Sequence, residues 1–243
     1  MPSTRARAAV PWLGCALLAT AACGTSGGGT PHRAAAADRP TAAPAGAEIA
    51  TVRGTSVVIR REPGGATWRT LSSPNDYGAP RVLLVDADRG DWLKVYLPLR
   101  PNGSTGWVRA SDVTLTRTTR RVEIDPRAFR FTVYDGDRVL RTGKVATGTG
   151  GTPTPAGRFF FTELVRPADP RGAYGAYAFG LSGYSPTLSS FGGGPGQIAV
   201  HGTNAPGRLG SRASHGCIRV GNPDITWMAR NLTLGTPVDV LSS

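Results

Sequence analysis

Lysine, histidine and cysteine are scarce in this chain of 243 residues: Lys94 and Lys144 are the only lysines among 28 basic residues, and there are three histidines and three cysteines. The lysine shortage reads as a compositional bias toward arginine and carries no functional weight. Three cysteines cannot build the disulfide framework of a small secreted scaffold. Long helical repeats are also excluded, because 33 glycines and 20 prolines punctuate the chain and each weakens or ends a helix. With 40% hydrophobic and 18% charged residues, the composition is that of a globular protein, mostly β, and not of a disordered or membrane-embedded one. The net charge of +12 is spread along the chain. No stretch concentrates it enough to argue for nucleic acid.

Residues 1–22 start with Arg5 and Arg7 and then run apolar from Ala8 to Ala22. A helix of that length rises about 22 Å, short of the roughly 30 Å hydrocarbon core, and Pro11 and Gly14 interrupt it, so an export signal is expected and not a permanent span. Thr20-Ala21-Ala22-Cys23 resembles the lipobox of bacterial lipoproteins, with Thr20 standing where an aliphatic residue is usual. That resemblance implies lipidation at Cys23, an extracytoplasmic location, and contact with the membrane through a lipid anchor alone, the alternative being simple cleavage at a small-residue site. Residues 23–48 hold mostly Gly, Ala, Pro, Ser and Thr and are expected to be a flexible tether, with His32 solvated in it.

Between residues 49 and 118, short alternating runs such as Thr55–Arg60, Val82–Val85 and Trp92–Tyr96 are divided by the turn formers Glu62-Pro63-Gly64-Gly65, Asp88-Arg89-Gly90-Asp91 and Pro101-Asn102-Gly103-Ser104. They predict a small barrel or sandwich. The run Gly106-Trp107-Val108-Arg109 resembles the closing strand of bacterial SH3-like domains. Trp68, Trp92 and Trp107 are expected to be core before groove.

Strands resume over residues 119–243. Val122 and Ile124 alternate, as do Phe129, Phe131 and Val133, and Asp135-Gly136 predicts a hairpin turn. A short helix near the C-terminus is marked by Asn222 as cap, Pro223 in the first turn, and Ile225, Met228 and Leu232 on one face. The glycine- and tyrosine-rich stretch 172–196, with Tyr174, Tyr177 and Tyr184, reads as one long loop, either a cover for a site or a loop packed down by its tyrosines.

Cys15 and Cys23 lie in the leader, so Cys217 is alone in the body of the chain. An unpaired thiol in an exported domain gains nothing structural and risks oxidation, which points to chemistry. Two of the three histidines, His201 and His215, precede it by sixteen and two residues. A thiol reacts as thiolate, and a neighbouring imidazole can take its proton. His201 ends the apolar run Gln197–Val200 and is the expected base, though His215, two residues from Cys217, is not excluded by sequence. The turn Ser214-His215-Gly216-Cys217 offers the amides of residues 215–217 to a developing oxyanion. A zinc site built from His201, His215 and Cys217 competes, but the spacing fits no common zinc pattern and no second cysteine or paired histidines would close it.

His201-Gly202-Thr203 together with Ser214-His215-Gly216-Cys217-Ile218-Arg219 resembles the signature of the L,D-transpeptidases of the YkuD type, and Gly148–Phe159 resembles the family's Thr-Pro-x-Gly-x-Phe segment. The resemblance covers roughly residues 121–241. It implies a β-rich catalytic domain with Cys217 as nucleophile and His201 as proton acceptor and donor. Ser214, His215 and Gly216 would then shape the turn, with Arg219, Gly202 and Tyr184 as substrate contacts. Arg219 stands where many members have asparagine, which leaves it open between a substrate carboxylate ligand and a structural ion-pair partner. The implied partners are a peptidoglycan tetrapeptide donor and a stem-peptide acceptor, with anionic wall polymers as a further contact, no nucleic acid and no cofactor. Acylation by carbapenems is implied as well. The alternatives are an L,D-carboxypeptidase and an inactive wall-binding adaptor.

Overall fold

The computed structural model describes residues 46–242. The leader, the lipobox and nearly all of the expected tether lie outside the described residues. Two sheets follow one another along the chain and belong to one compact unit.

The first sheet has seven strands, all paired antiparallel: β1 (Ala47–Val52), β2 (Ser56–Arg60), β3 (Thr67–Ser72), β4 (Val82–Asp88), β5 (Trp92–Tyr96), β6 (Thr105–Arg109) and β7 (Val113–Thr118), in the order β3-β2-β6-β5-β4-β1-β7. β1 begins at Ala47, where the sequence reading places tether through residue 48. Ala47 and Glu48 pair with Thr118 and Arg117 of β7, and the Glu48 carboxylate accepts from the Arg117 guanidinium at 2.7 Å. Ladder pairing decides this edge, and composition could not register it. The three tryptophans divide. Trp107 is buried, whereas Trp68 and Trp92 are half-buried beneath the guanidinium groups of Arg61 and Arg109 at 4.3 and 4.6 Å from their ring centroids. Aliphatic residues such as Leu83, Leu84, Leu93 and Ile59 fill the core instead.

The second sheet starts one residue after β7. It comprises β8 (Arg120–Asp125), β9 (Arg130–Asp135), β10 (Arg138–Gly148), β11 (Gly157–Val165), β12 (Ala178–Tyr184), β13 (Gln197–His201), β14 (Arg212–Ser214), β15 (Ile218–Val220) and β16 (Pro237–Val240), with α1 (Asn222–Asn231) before β16. The long strand β10 closes it: the first half pairs with β9 and the second half with β15 and β14, so the sheet meets itself in a barrel. α1 inserts Ile225 and Met228 into the barrel core with Phe131, Phe161, Phe179 and Val200.

Period-two alternation in β11 ties the two sheets together. Phe159 and Phe161 enter the barrel core, and Phe160 between them points the other way into the core of the first sheet; successive side chains in a strand face opposite sides. Gly235 approaches Ile49 too closely for a side chain to intervene.

Two expectations are corrected here. The stretch 172–196 is not one loop, because β12 runs through it, paired with β11 and β13 and buried over most of its length. Glycine there admits close neighbours: a Cβ on Gly183 would strike the Phe159 ring. Two shorter loops remain, one carrying Tyr174 and one carrying Phe191. Nor does Asn222 cap α1, whose N-cap is Gly221 with no side-chain cap. The Asn222 side chain turns to the neighbouring loops instead.

Candidate active site

Parallel pairing of β13 with β15 sets the site. Val200 is opposite Ile218 and His201 opposite Arg219, so His201, Arg219 and Cys217, the residue just before β15, reach one cavity at the ends of two adjacent strands. His201 and Arg219 are therefore held by the ladder, and Cys217 by the turn that leads into it.

His201 is buried, at 4% exposure. Its Nδ1 lies 2.6 Å from the Gly202 carbonyl oxygen. A carbonyl only accepts, so Nδ1 carries the proton and Nε2 keeps its lone pair. Burial lowers its pKa from 6.5 to about 4, the Arg219 cation adding to the fall and the Gly202 bond opposing it. Burial likewise pushes the Cys217 thiol up, while a backbone hydrogen bond from Ala199 and the field of Arg219 pull it down. Both effects disfavour the charged forms. The resting pair is neutral imidazole with neutral thiol, so the thiolate forms as the imidazole takes its proton.

The turn before Cys217 is braced from both sides. Ser214 is buried, and its hydroxyl donates to the Cys217 carbonyl at 2.5 Å while accepting from the Gly216 amide at 3.2 Å. The Gly216 amide is thus occupied, which leaves those of His215 and Cys217, of the three in the turn, as candidates for an oxyanion. Gly216 sits at φ +117°, where an added Cβ would press on Ile198 Cδ1 at 3.0 Å; side chains rarely tolerate such backbone. Thr154 donates to the Gly216 carbonyl at 2.8 Å and accepts from the Gly148 amide at 2.9 Å, and the Thr149 amide donates to the Ser214 carbonyl at 3.1 Å. The Thr-Pro segment thereby acts as a cradle for the nucleophile turn, a role that its sequence did not reveal.

His215 is exposed and packs against Phe191 with the rings tilted by 31° and their centroids 5.2 Å apart. Its position favours His201 as the base. Tyr174 covers His201 at 4.8 Å between centroids. Arg219 lines the cavity beside them, and its Nε is buried without a hydrogen-bond partner.

Tyr184 and Gly202, both expected as substrate contacts, do not line the cavities that Cys217 lines. The Tyr184 hydroxyl donates to the Pro98 carbonyl at 3.0 Å and the Arg100 guanidinium lies 5.0 Å over its ring, so it belongs to the seam between the sheets. Gly202 is buried, its carbonyl engaged by His201 and its amide donating to Tyr177 at 3.1 Å. It orients the base. Asn222, read in sequence as a helix cap, also orients it: Oδ1 accepts from the amides of Ala176 and Thr203, and Nδ2 donates to the Thr203 carbonyl at 3.0 Å. A Cβ on Gly202 would collide with that oxygen.

Among the described residues, no group of three or more His, Cys, Asp or Glu side chains is placed to hold a metal ion.

Residues 119–240 match the family model of the L,D-transpeptidase catalytic domain (YkuD). A protein of Bacillus licheniformis named as an L,D-transpeptidase, YkuD, is 33% identical over 119 residues, which is 49% of this chain and 62% of that protein. Its namesake in Bacillus subtilis is 34% identical over 110 residues, 45% of this chain and 58% of the relative. The chain therefore spans about six-tenths of the length of these relatives. An L,D-transpeptidase structure from Mycobacterium smegmatis is similar over 65% of this chain and 80% of that one, with 20% identity and a TM-score of 0.42. Since the family model takes in half of the chain and ends within its last strand, this protein belongs to the L,D-transpeptidase catalytic-domain (YkuD) family.

Proposed function

We propose that this protein is an exported peptidoglycan L,D-transpeptidase in which Cys217 forms a thioester with a stem peptide and His201 manages the protons. The observation that carries this reading is the fixed tautomer of His201: Nδ1 is committed to Gly202, so Nε2 is the basic atom, and the cavity that holds it also holds Cys217.

In the first half-reaction the sulfur attacks the carbonyl of the third, L-configured residue of a tetrapeptide stem. His201 Nε2 takes the thiol proton as the S–C bond forms. The oxyanion is met by the free amides of His215 and Cys217 and by the positive field of Arg219. The C–N bond then breaks, the proton passes from imidazolium to the departing amine, and D-alanine leaves. In the second half-reaction an amine of a neighbouring stem attacks the thioester, His201 accepts its proton, and the thiol is regenerated. Water in place of the amine gives L,D-carboxypeptidase activity. The unpartnered Nε of Arg219 supports the substrate-carboxylate role over the structural one, since no ion pair holds that side chain among the described residues.

The export leader and the motif ending at Cys23 support an extracytoplasmic location with a lipid on Cys23. The mass of the mature N-terminal peptide tests that point. For the activity, the protein is incubated with a tetrapeptide stem while D-alanine release and intact mass are followed. An adduct that needs Cys217, with D-alanine release, supports acyl transfer, and the ratio of cross-linked dimer to tripeptide separates transpeptidase from carboxypeptidase. Neither adduct nor D-alanine from a folded protein would overturn the reading in favour of an adaptor.

A further inference from the structure

A second cavity wall adjoins Cys217. A space of about 340 Å³ is lined by Cys217 at one part and by Glu163, Gln197, Tyr174, Phe191 and Tyr77 elsewhere, and among its lining residues Glu163 alone carries a formal charge. Glu163 is 4% exposed. Its Oε1 accepts from Gln197 Nε2 at 2.9 Å and its Oε2 from Asn75 Nδ2 at 3.0 Å. Both donors are neutral amides, and no lysine or arginine forms an ion pair with it among the described residues. Arg81, which lines an adjoining cavity of about 300 Å³ with Glu163, reaches it only through its field.

The carboxylate is built into this place. It lies across Gly180 of β12, where any Cβ would overlap Oε1, and it bridges β11 to Gln197 of β13, the strand that ends in His201. A carboxylate withdrawn from water without a counter-ion is costly, and burial here pushes its pKa up against the hydrogen bonds of Thr162, Gln197 and Asn75 and the field of Arg81. Thr162 also hydrogen-bonds the carboxylate, and of the four lone pairs on its two oxygens these three donors leave one unfilled. A cation entering that cavity would supply the missing counter-charge, and a primary ammonium matches the available acceptor.

We propose that Glu163 is the recognition group for a primary ammonium on the peptide occupying this cavity, held in position by Asn75 and Gln197. The proposal deepens the acyl-transfer reading and rests on it. The ammonium has two sources, the side chain of the donor peptide or the incoming acceptor, and the two half-reactions separate them.

The test uses synthetic tetrapeptides whose third residue carries a free or an acetylated side-chain amine. Initial D-alanine release without acceptor reads the donor arm; cross-link formation between an acetylated donor and amine acceptors of varied charge reads the acceptor arm. In the unmodified protein, loss of the ammonium raises KM in one arm by about tenfold, as expected for one charge-assisted pair. In Glu163→Gln that ratio falls to about one, and in Asn75→Leu, where one amide is lost, it falls part of the way. A preference in either arm that depends on Glu163 supports the site and names the source. Acylation of Cys217 with no ammonium preference in either arm of the unmodified protein overturns this proposal alone, with no variant required to fold. Absence of any acylation overturns the underlying reading.

Discussion

Asn102 and the backbone of Tyr184 exchange two hydrogen bonds: Asn102 Nδ2 donates to the Tyr184 carbonyl at 2.8 Å, and the Tyr184 amide donates to Asn102 Oδ1 at 2.8 Å. One side chain of the first sheet thereby imitates a strand partner for the end of β12. Two residues earlier, Arg100 donates to the carbonyls of Ser185, Leu188 and Pro195 at 2.6, 2.9 and 3.0 Å. That loop carries Phe191 over His215. The first sheet is a brace for the wall of the cavity. Arg100→Ala is expected to lower kcat/KM for D-alanine release about tenfold through KM, with a melting temperature within a few degrees of the parent. An unchanged KM would show that the loop holds its place without the clamp.

The sheets also share hydrophobic surface. Phe160 is fully buried in the first core although its strand belongs to the barrel. Phe160→Ala is expected to cost about 3–5 kcal/mol, the usual range for emptying a buried phenylalanine, read by urea denaturation. Excising residues 46–118 uncovers Phe160, and the remaining barrel is expected to aggregate. A soluble, fully active barrel would refute the shared core.

Cys217→Ala is expected to abolish covalent adducts with tetrapeptide or carbapenem while leaving the melting temperature nearly unchanged. His201→Gln is expected to slow acylation by about 10²–10⁴-fold, the usual contribution of a positioned base. Adduct formation by Cys217→Ala would remove Cys217 from the mechanism.

The acid limb of kcat/KM is expected near pH 4 in place of 6.5, because His201 stays unprotonated down to about 4. Stability follows the same group with a definite sign. Between pH 6.5 and about 4 the unfolded chain binds a proton at His201 that the folded chain refuses, so stability falls as pH falls through that window. The loss is on the order of 3 kcal/mol when complete. Urea midpoints measured across this range should fall less steeply in His201→Gln than in the parent. Equal slopes would mean that His201 is not buried neutral.

Thr154→Val removes the hydroxyl that links Gly216 to Gly148. Acylation is expected to slow about tenfold, with recovery in Thr154→Ser. Failure of serine to restore the rate would point to the methyl group and not the hydrogen bonds.

The sequence by itself determined the local chemistry. A solitary Cys217 two residues after His215, the apolar run into His201, the glycine at 216, the hairpin at Asp135-Gly136 and the helix from Pro223 through Met228 are all short-range signals, set by turn requirements, periodicity and residue type. Tertiary structure decided what depends on distant partners. Thr154, Asn222 and Glu163 look ordinary in sequence, because a threonine near prolines, an asparagine before a helix and a glutamate in a strand have common local explanations. Their roles arise from hydrogen bonds to residues 62, 19 and 88 positions away. Likewise Tyr184 carries no local mark that separates a cavity residue from one at the seam, and the strand hidden in residues 172–196 is held by cross-strand pairing that glycine-rich composition disguises. Burial, finally, shifted both groups: His201 is lowered and Cys217 raised from their values in water, so the packed barrel keeps the pair neutral over a wider pH range.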